Sequence, residues 1–113
     1  MSRDLCFWKQ KEKSDLTNAE IYKKLSSGVH IDCVSEIPTE QIKEDIDKEF
    51  KDWEKEGDSF FQKGNSSFGL FVTSQVVRFD CYSVSEIVMN KIIDIMLKYD
   101  CPLYDSVIDI RFD

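Results

Sequence analysis

The sequence predicts an α+β fold, a two-layer sandwich in which an antiparallel sheet of 4-5 strands carries its helices on one face. Three observations lead there. Residues 68–73 and 76–82 alternate their side chains with period two, as half-buried paired strands do. Residues 84–99 follow at once as a helix, with Val88, Ile92, Ile95, Met96 and Tyr99 on one face. This stretch has the highest apolar density in the chain, which makes it the expected nucleus of the core. The third observation is the order of the predicted elements, β-α-α-β-β-β-α-β, which pairs strands locally and groups the helices apart from them.

The elements take shape in chain order. Residues 5–9 (Leu-Cys-Phe-Trp-Lys) form a short aromatic first strand. Thr17 and Glu20 make a capping box for the first helix, and Leu16 with Ile21 supply its hydrophobic staple. Ile21 and Leu25 give the apolar stripe, and Gly28 stands where a left-handed cap belongs. Residues 29–37 form either a brief strand or an irregular crossing that drops Ile31, Val34 and Ile37 into the core. Pro38 or Thr39 opens a second helix, whose apolar positions Ile42, Ile46, Phe50 and Trp53 extend it until Gly57. Residues 59–62 make a third strand candidate, with Lys63, Gly64, Asn65 and Ser66 as its hairpin turn. Ser83 and Glu86 repeat the capping box ahead of the last helix, and Pro102 forbids that helix to continue. Residues 103–112 read as one closing strand with polar residues at its centre. Counting the two early helices as one crossover gives βαββαβ, a ferredoxin-like variant with an added strand or helix.

A chain of 113 residues holds one domain. Its apolar fraction of 42% and eight Phe are enough to bury a core. No window approaches a membrane-spanning length of apolar residues, and residues 1–13 lack the apolar region of a secretory signal, so a cytoplasmic location is expected. In that compartment Cys6, Cys33, Cys81 and Cys101 read as reduced, small hydrophobes. The net charge of −7 is unevenly placed: residues 36–58 hold ten acidic and four basic groups, nearly all of the excess. Nucleic acid and anionic membrane both demand a basic footprint, so neither is an expected partner. A basic protein is.

On a helix spanning 39–58, Asp45, Glu49, Asp52 and Glu56 form one negative row beside the apolar stripe. Glu40, Asp47, Glu54 and Asp58 form a second, with Lys48, Lys51 and Lys55 between the two. Like-charge pairs at i,i+4 cost an isolated helix roughly 0.2–0.5 kcal/mol each. The rows read either as a docking edge for a cationic partner or as a solvated face that keeps the chain soluble. His30, Asp32 and Cys33 invite a nucleophile or metal reading, but their spacing fits no catalytic or zinc signature, and no metal or cofactor is expected. Trp8 and Trp53 read as core or core-edge residues. Tyr82, Tyr99, Tyr104 and Phe112 are candidates for a surface cluster near the end of the last helix.

A small, acidic α+β chain without a catalytic signature resembles bacterial immunity proteins of contact-dependent inhibition and related polymorphic toxin systems. Cys6-Phe7-Trp8, Asp80-Cys81-Tyr82 and Cys101-Pro102-Leu103-Tyr104-Asp105 are also similar to segments of small bacterial proteins. The resemblance implies a protein without enzymatic activity that binds a basic toxin domain, often a nuclease, and covers or distorts its active site. Such a partner would meet the acidic rows above, with the protein itself a monomer or weak homodimer. The alternative from a different class is a self-associating or regulatory ligand-binding domain. Apolar residues on both sides of its strands, Leu70 beside Phe71 and Val76 beside Val77, favour it. An enzyme would instead need a deep pocket uniting His30 with a cysteine or carboxylate.

Overall fold

The structure, a computed structural model, describes residues 2–57 and 59–112. Its elements are β1 (Ser2–Trp8), α1 (Asn18–Ser26), α2 (Thr39–Glu49), β2 (Glu54–Glu56), β3 (Phe60–Lys63), β4 (Ser66–Val72), β5 (Val76–Tyr82), α3 (Glu86–Leu97), β6 (Leu103–Asp105) and β7 (Ile110–Arg111). The strands form one open antiparallel sheet in the order β2-β3-β4-β5-β1-β6-β7. The α+β class and the antiparallel sheet stand as expected. Among the described residues the sheet has seven strands rather than 4-5, because the region after α2 adds β2 and the closing segment folds into a hairpin.

The ferredoxin-like arrangement is not formed. That fold is assembled from βαβ units, whose strands lie parallel. Here β1 lies between β5 and β6 and runs antiparallel to both. The helices are not confined to one face either. Along β1, Leu5 and Phe7 join the core under α2 and α3, while Cys6 and Trp8 join a second core with Ile21 and Leu25 of α1. The alternating apolar pattern of a strand normally leaves one face for water. The unbroken run Leu-Cys-Phe-Trp instead fills both faces, so the molecule has three layers.

Local grammar explains most helix ends. The Thr17–Glu20 capping box forms, with Thr17 Oγ1 accepting from the Glu20 amide and the Glu20 carboxylate accepting from the Thr17 amide. At α3 the cap is Ser85, whose hydroxyl accepts from the Val88 amide, rather than Ser83. Ser83 adopts a positive φ of 56° as the chain turns out of β5, and its carbonyl accepts from the Ser66 hydroxyl. Residues 29–37 take the irregular form and bury Ile31, Val34 and Ile37. Their backbone is held by the side chain of Gln75, which donates to the carbonyls of Ile31 and Val34 and accepts from the Ile31 amide.

The second helix ends well before Gly57. Phe50 and Trp53 do share a buried side, as their spacing predicts, but a turn achieves it: the Trp53 amide donates to the Phe50 carbonyl at 3.0 Å. Phe50 packs on Phe68 (5.0 Å), Trp53 on Phe68 (5.3 Å), and Phe61 stacks on Phe68 (4.8 Å). Closing that ring cluster brings the next residues alongside β3, where they pair as β2. Residues 103–112 likewise break at their polar centre into β6, a turn, and β7, with Asp109 at φ 52°.

Candidate protein-binding surface

The acidic residues singled out in the sequence separate into three environments. Asp45 sits in the seam between α2 and the end of α3. It accepts a short hydrogen bond from the Tyr99 hydroxyl and pairs with Lys98 Nζ at 3.0 Å. These bonds, Tyr99 first, hold the Asp45 carboxyl below its ordinary range, and the same contact pushes the Tyr99 phenol up to about 12. Asp47 and Glu40 are also compensated by the chain itself, Asp47 by Lys55 at 2.9 Å and Glu40 by Lys43 at 3.9 Å. Asp45 and Asp47 serve the scaffold, whereas Glu40 is exposed and touches Lys43 only at the limit of an ion pair.

Glu49, Asp52, Glu54 and Glu56 are exposed and have no ion pair among the described residues. They do not share a helical row, because only Glu49 is helical. Glu49 and Asp52 line a cleft of about 370 Å³ beside half-buried Trp53, with Lys63 and Lys91 across it. Glu54 and Glu56 alternate with Lys55 along the edge strand β2. Lys55 lies opposite Phe61 and reaches over its ring (5.5 Å), on the side of α2, so the two glutamates project from the other side. The outcome is a negative corner wrapped around the β2 edge, not a flat acidic helix face. Asp58, the last acid of the second row, lies outside the described residues.

The remaining candidates divide cleanly. His30 is exposed and approaches Asp32 at 3.4 Å, while Cys33 is buried, so the three do not form a catalytic group. Among the described residues no cluster of three or more His, Cys, Asp or Glu is placed to hold a metal ion. All four cysteines are free and buried. Burial raises the thiols of Cys6 and Cys81 to about 12 and that of Cys101 to about 11. Trp8 is fully buried. The tyrosines do not cluster at the surface: Tyr104 is buried and Tyr99 bonds Asp45, while Tyr82 at the end of β5 and Phe112 after β7 are exposed.

Sequence reasoning missed one surface. A groove of about 480 Å³, mostly apolar, lies between α3 and the turn joining β6 to β7, lined by Val84, Met89, Val107 and Ile108 with Arg3, Cys81 and Ser83. The turn is braced from beneath. Buried Asp105 accepts from the Val107 amide and from Arg3, and the Tyr104 hydroxyl donates to Asp109 at 2.7 Å. The available signal was α3 itself, whose apolar residues exceed one stripe.

Comparison with known proteins gave no match: no family model fits the chain, and no curated protein or solved structure is significantly similar to it. No helix among the described residues is long and apolar enough to cross a membrane.

Proposed function

We propose that this protein is a non-enzymatic inhibitor of the immunity type, which binds a basic toxin domain such as a nuclease and neutralises it by occupying its cationic surface. One observation carries the reading: among the described residues Glu49, Asp52, Glu54 and Glu56 stand exposed and without an ion pair within eight residues, the first two beside the half-buried ring of Trp53 and the last two along the adjoining edge strand β2. Asp45 and Asp47 of the same segment are paired internally, with Lys98 and Lys55, and this corner is the segment's densest run of exposed carboxylates. Such a patch raises the encounter rate with a cationic surface, and the tryptophan beside Glu49 and Asp52 supplies an apolar anchor of the kind typical of binding hot spots. The cationic surface of a nuclease is its substrate site, so an occupant of it blocks nucleic acid by charge mimicry.

The test compares the native chain with a variant carrying Glu49→Lys, Asp52→Lys, Glu54→Lys and Glu56→Lys. Each is immobilised, bound proteins are identified by mass spectrometry, and association of the captured partner is timed across a salt series. The expected partner is basic, and its association with the variant is slower by about tenfold or more, with a flatter salt dependence. An unchanged rate, or a partner without a cationic surface, overturns the proposal.

A further inference from the structure

Helix α3 is apolar around most of its circumference, which a solvent-facing helix of this length does not need. One stripe (Ile92, Ile95, Met96) is buried on the sheet. The side toward α2 is marked by Lys98 reaching Asp45 and by Val88 and Lys91 sharing a cleft with Glu49. Met89, Ile93 and Leu97, spaced by four, lie on the other flank, and Met89 shares the groove with Val107 and Ile108. Below that flank the sheet continues as β6 and β7. The register Asp105↔Ile110, extended by the Phe112 amide donating to the Leu103 carbonyl, puts Ile110 and Phe112 on the same side as Leu103 and Asp105. Leu97, Val107, Ile108, Ile110 and Phe112 are 49%, 74%, 50%, 47% and 52% exposed.

We propose that this α3–β7 face is a homodimer interface, in which a second copy of the chain packs its own α3 flank and β7 edge against the first across a two-fold axis. The occupant follows from three features of the molecule. First, the two edges of the sheet are treated differently. Edge strand β2 carries Glu54, Lys55 and Glu56, the charges that block strand addition, whereas β7 presents Ile110 and is followed by Phe112. Antiparallel pairing of two β7 strands is self-complementary, as a two-fold interface must be.

Second, the charge that would repel a like copy is at the wrong end to do so. Six strand spacings of about 4.8 Å separate β2 from β7, roughly 29 Å against a Debye length of about 8 Å. Beside the groove the charge of Arg3 is paired with buried Asp105, and the Asp109 carboxylate is turned toward the Tyr104 hydroxyl, from which it accepts a hydrogen bond. Third, the area fits. The five exposed side chains present on the order of 500 Å² of apolar surface, close to the apolar share of an ~800 Å² footprint per partner. The bracing of the β6–β7 turn by Asp105 and Tyr104 keeps Val107 and Ile108 in place before contact, which lowers the cost of association. A dimer so formed leaves both acidic corners free at its far ends, so this inference stands apart from the proposed function.

Sedimentation velocity over a concentration series, with the purified chain alone, tests it. The native chain is expected to shift from monomer to dimer at micromolar concentration. Val107→Asp and Ile110→Lys, both at exposed positions, are each expected to weaken the dimer at least about tenfold, with far-ultraviolet circular dichroism unchanged. Lys55→Glu on the opposite edge is expected to leave the dimer as it is. Amide exchange on the native chain gives a readout without any substitution: protection at residues 110–112 rises as protein concentration increases. A native chain that stays monomeric, a dimer that survives both face substitutions, or exchange at β7 that ignores concentration overturns the proposal. So does a monomer whose α3–β7 face instead takes up an unrelated protein.

Discussion

Replacing Gln75 with leucine isolates what holds the crossing segment over the α1 face. The side chain is 2% exposed and makes three hydrogen bonds: Nε2 to the carbonyls of Ile31 (2.7 Å) and Val34 (2.8 Å), and Oε1 from the Ile31 amide (2.9 Å). Leucine fills a similar volume, so the packing loss is small and the polar loss dominates. The three backbone groups do not suffer equally. The Ile31 carbonyl still accepts from the Val34 amide at 3.2 Å, so two groups are orphaned, the Ile31 amide and the Val34 carbonyl. At about 1–3 kcal/mol for each buried unsatisfied group, Gln75→Leu is expected to cost about 3 kcal/mol. For a chain of this length that corresponds to a fall in Tm of about 12 °C. Urea titration and thermal melts followed by circular dichroism measure it, with amide exchange at Ile31 as the local readout. A loss under about 1 kcal/mol, or an Ile31 amide as protected as before, would show that the segment is held by its apolar contacts and its backbone bonds to residues 9, 11 and 74 rather than by Gln75.

Two further outcomes follow from the titrating groups. The folded-state carboxyl of Asp45 lies below its ordinary value, so its contribution to stability is present above that value and is lost as pH falls through the folded one. Tyr99, raised to about 12 from 10.0, contributes fully below pH 10 and loses its contribution between about 10 and about 12. Tyr99→Phe is therefore expected to flatten the alkaline limb of the stability–pH curve, and an unaltered limb would exclude the Asp45 contact as its origin. The thiols of Cys6, Cys81 and Cys101, pushed up by burial, are expected to react with a disulfide reagent at pH 8 only as fast as the protein opens. A thiol that reacts at the rate of a small free thiol would show that one of these sites is reachable in the folded state.

How far the sequence could be read depended on the range of the interaction. Caps, staples and period-two strands are local, so α1, β5 (76–82) and the Phe60–Lys63 hairpin with Ser66–Val72 were legible within a residue or two. The length of α2 was not. Ile42, Ile46, Phe50 and Trp53 fit one helical stripe, and nothing local distinguishes that from a helix followed by a turn. The deciding partner was Phe68, distant in sequence, whose ring gathers Phe50, Trp53 and Phe61. The acidic rows dissolved with the helix, and Lys98 and Tyr99 claimed Asp45 from a segment that sequence spacing does not connect to it. The second face of the sheet was written in Cys6 and Trp8, yet an apolar run of four residues does not say which helix will cover it. Gln75 is the residue least visible in advance, since a glutamine between two strands looks like a turn residue until its three backbone partners are in place.

The position of β1 sets an order of events for folding. This strand is translated before both of its partners, since one edge of it needs Val76 to Tyr82 and the other needs Leu103 to Asp105. Until both arrive, the backbone of Leu5, Cys6, Phe7 and Trp8 has no strand on either edge, and the pairing that satisfies it closes long loops. Slow, late-committing assembly is the kinetic signature of such a topology, and the waiting segment is the one a holding chaperone would grip. An isolated fragment ending before residue 103 would then leave the middle of the sheet bare along one side, so truncations of this chain should aggregate where point substitutions merely soften it.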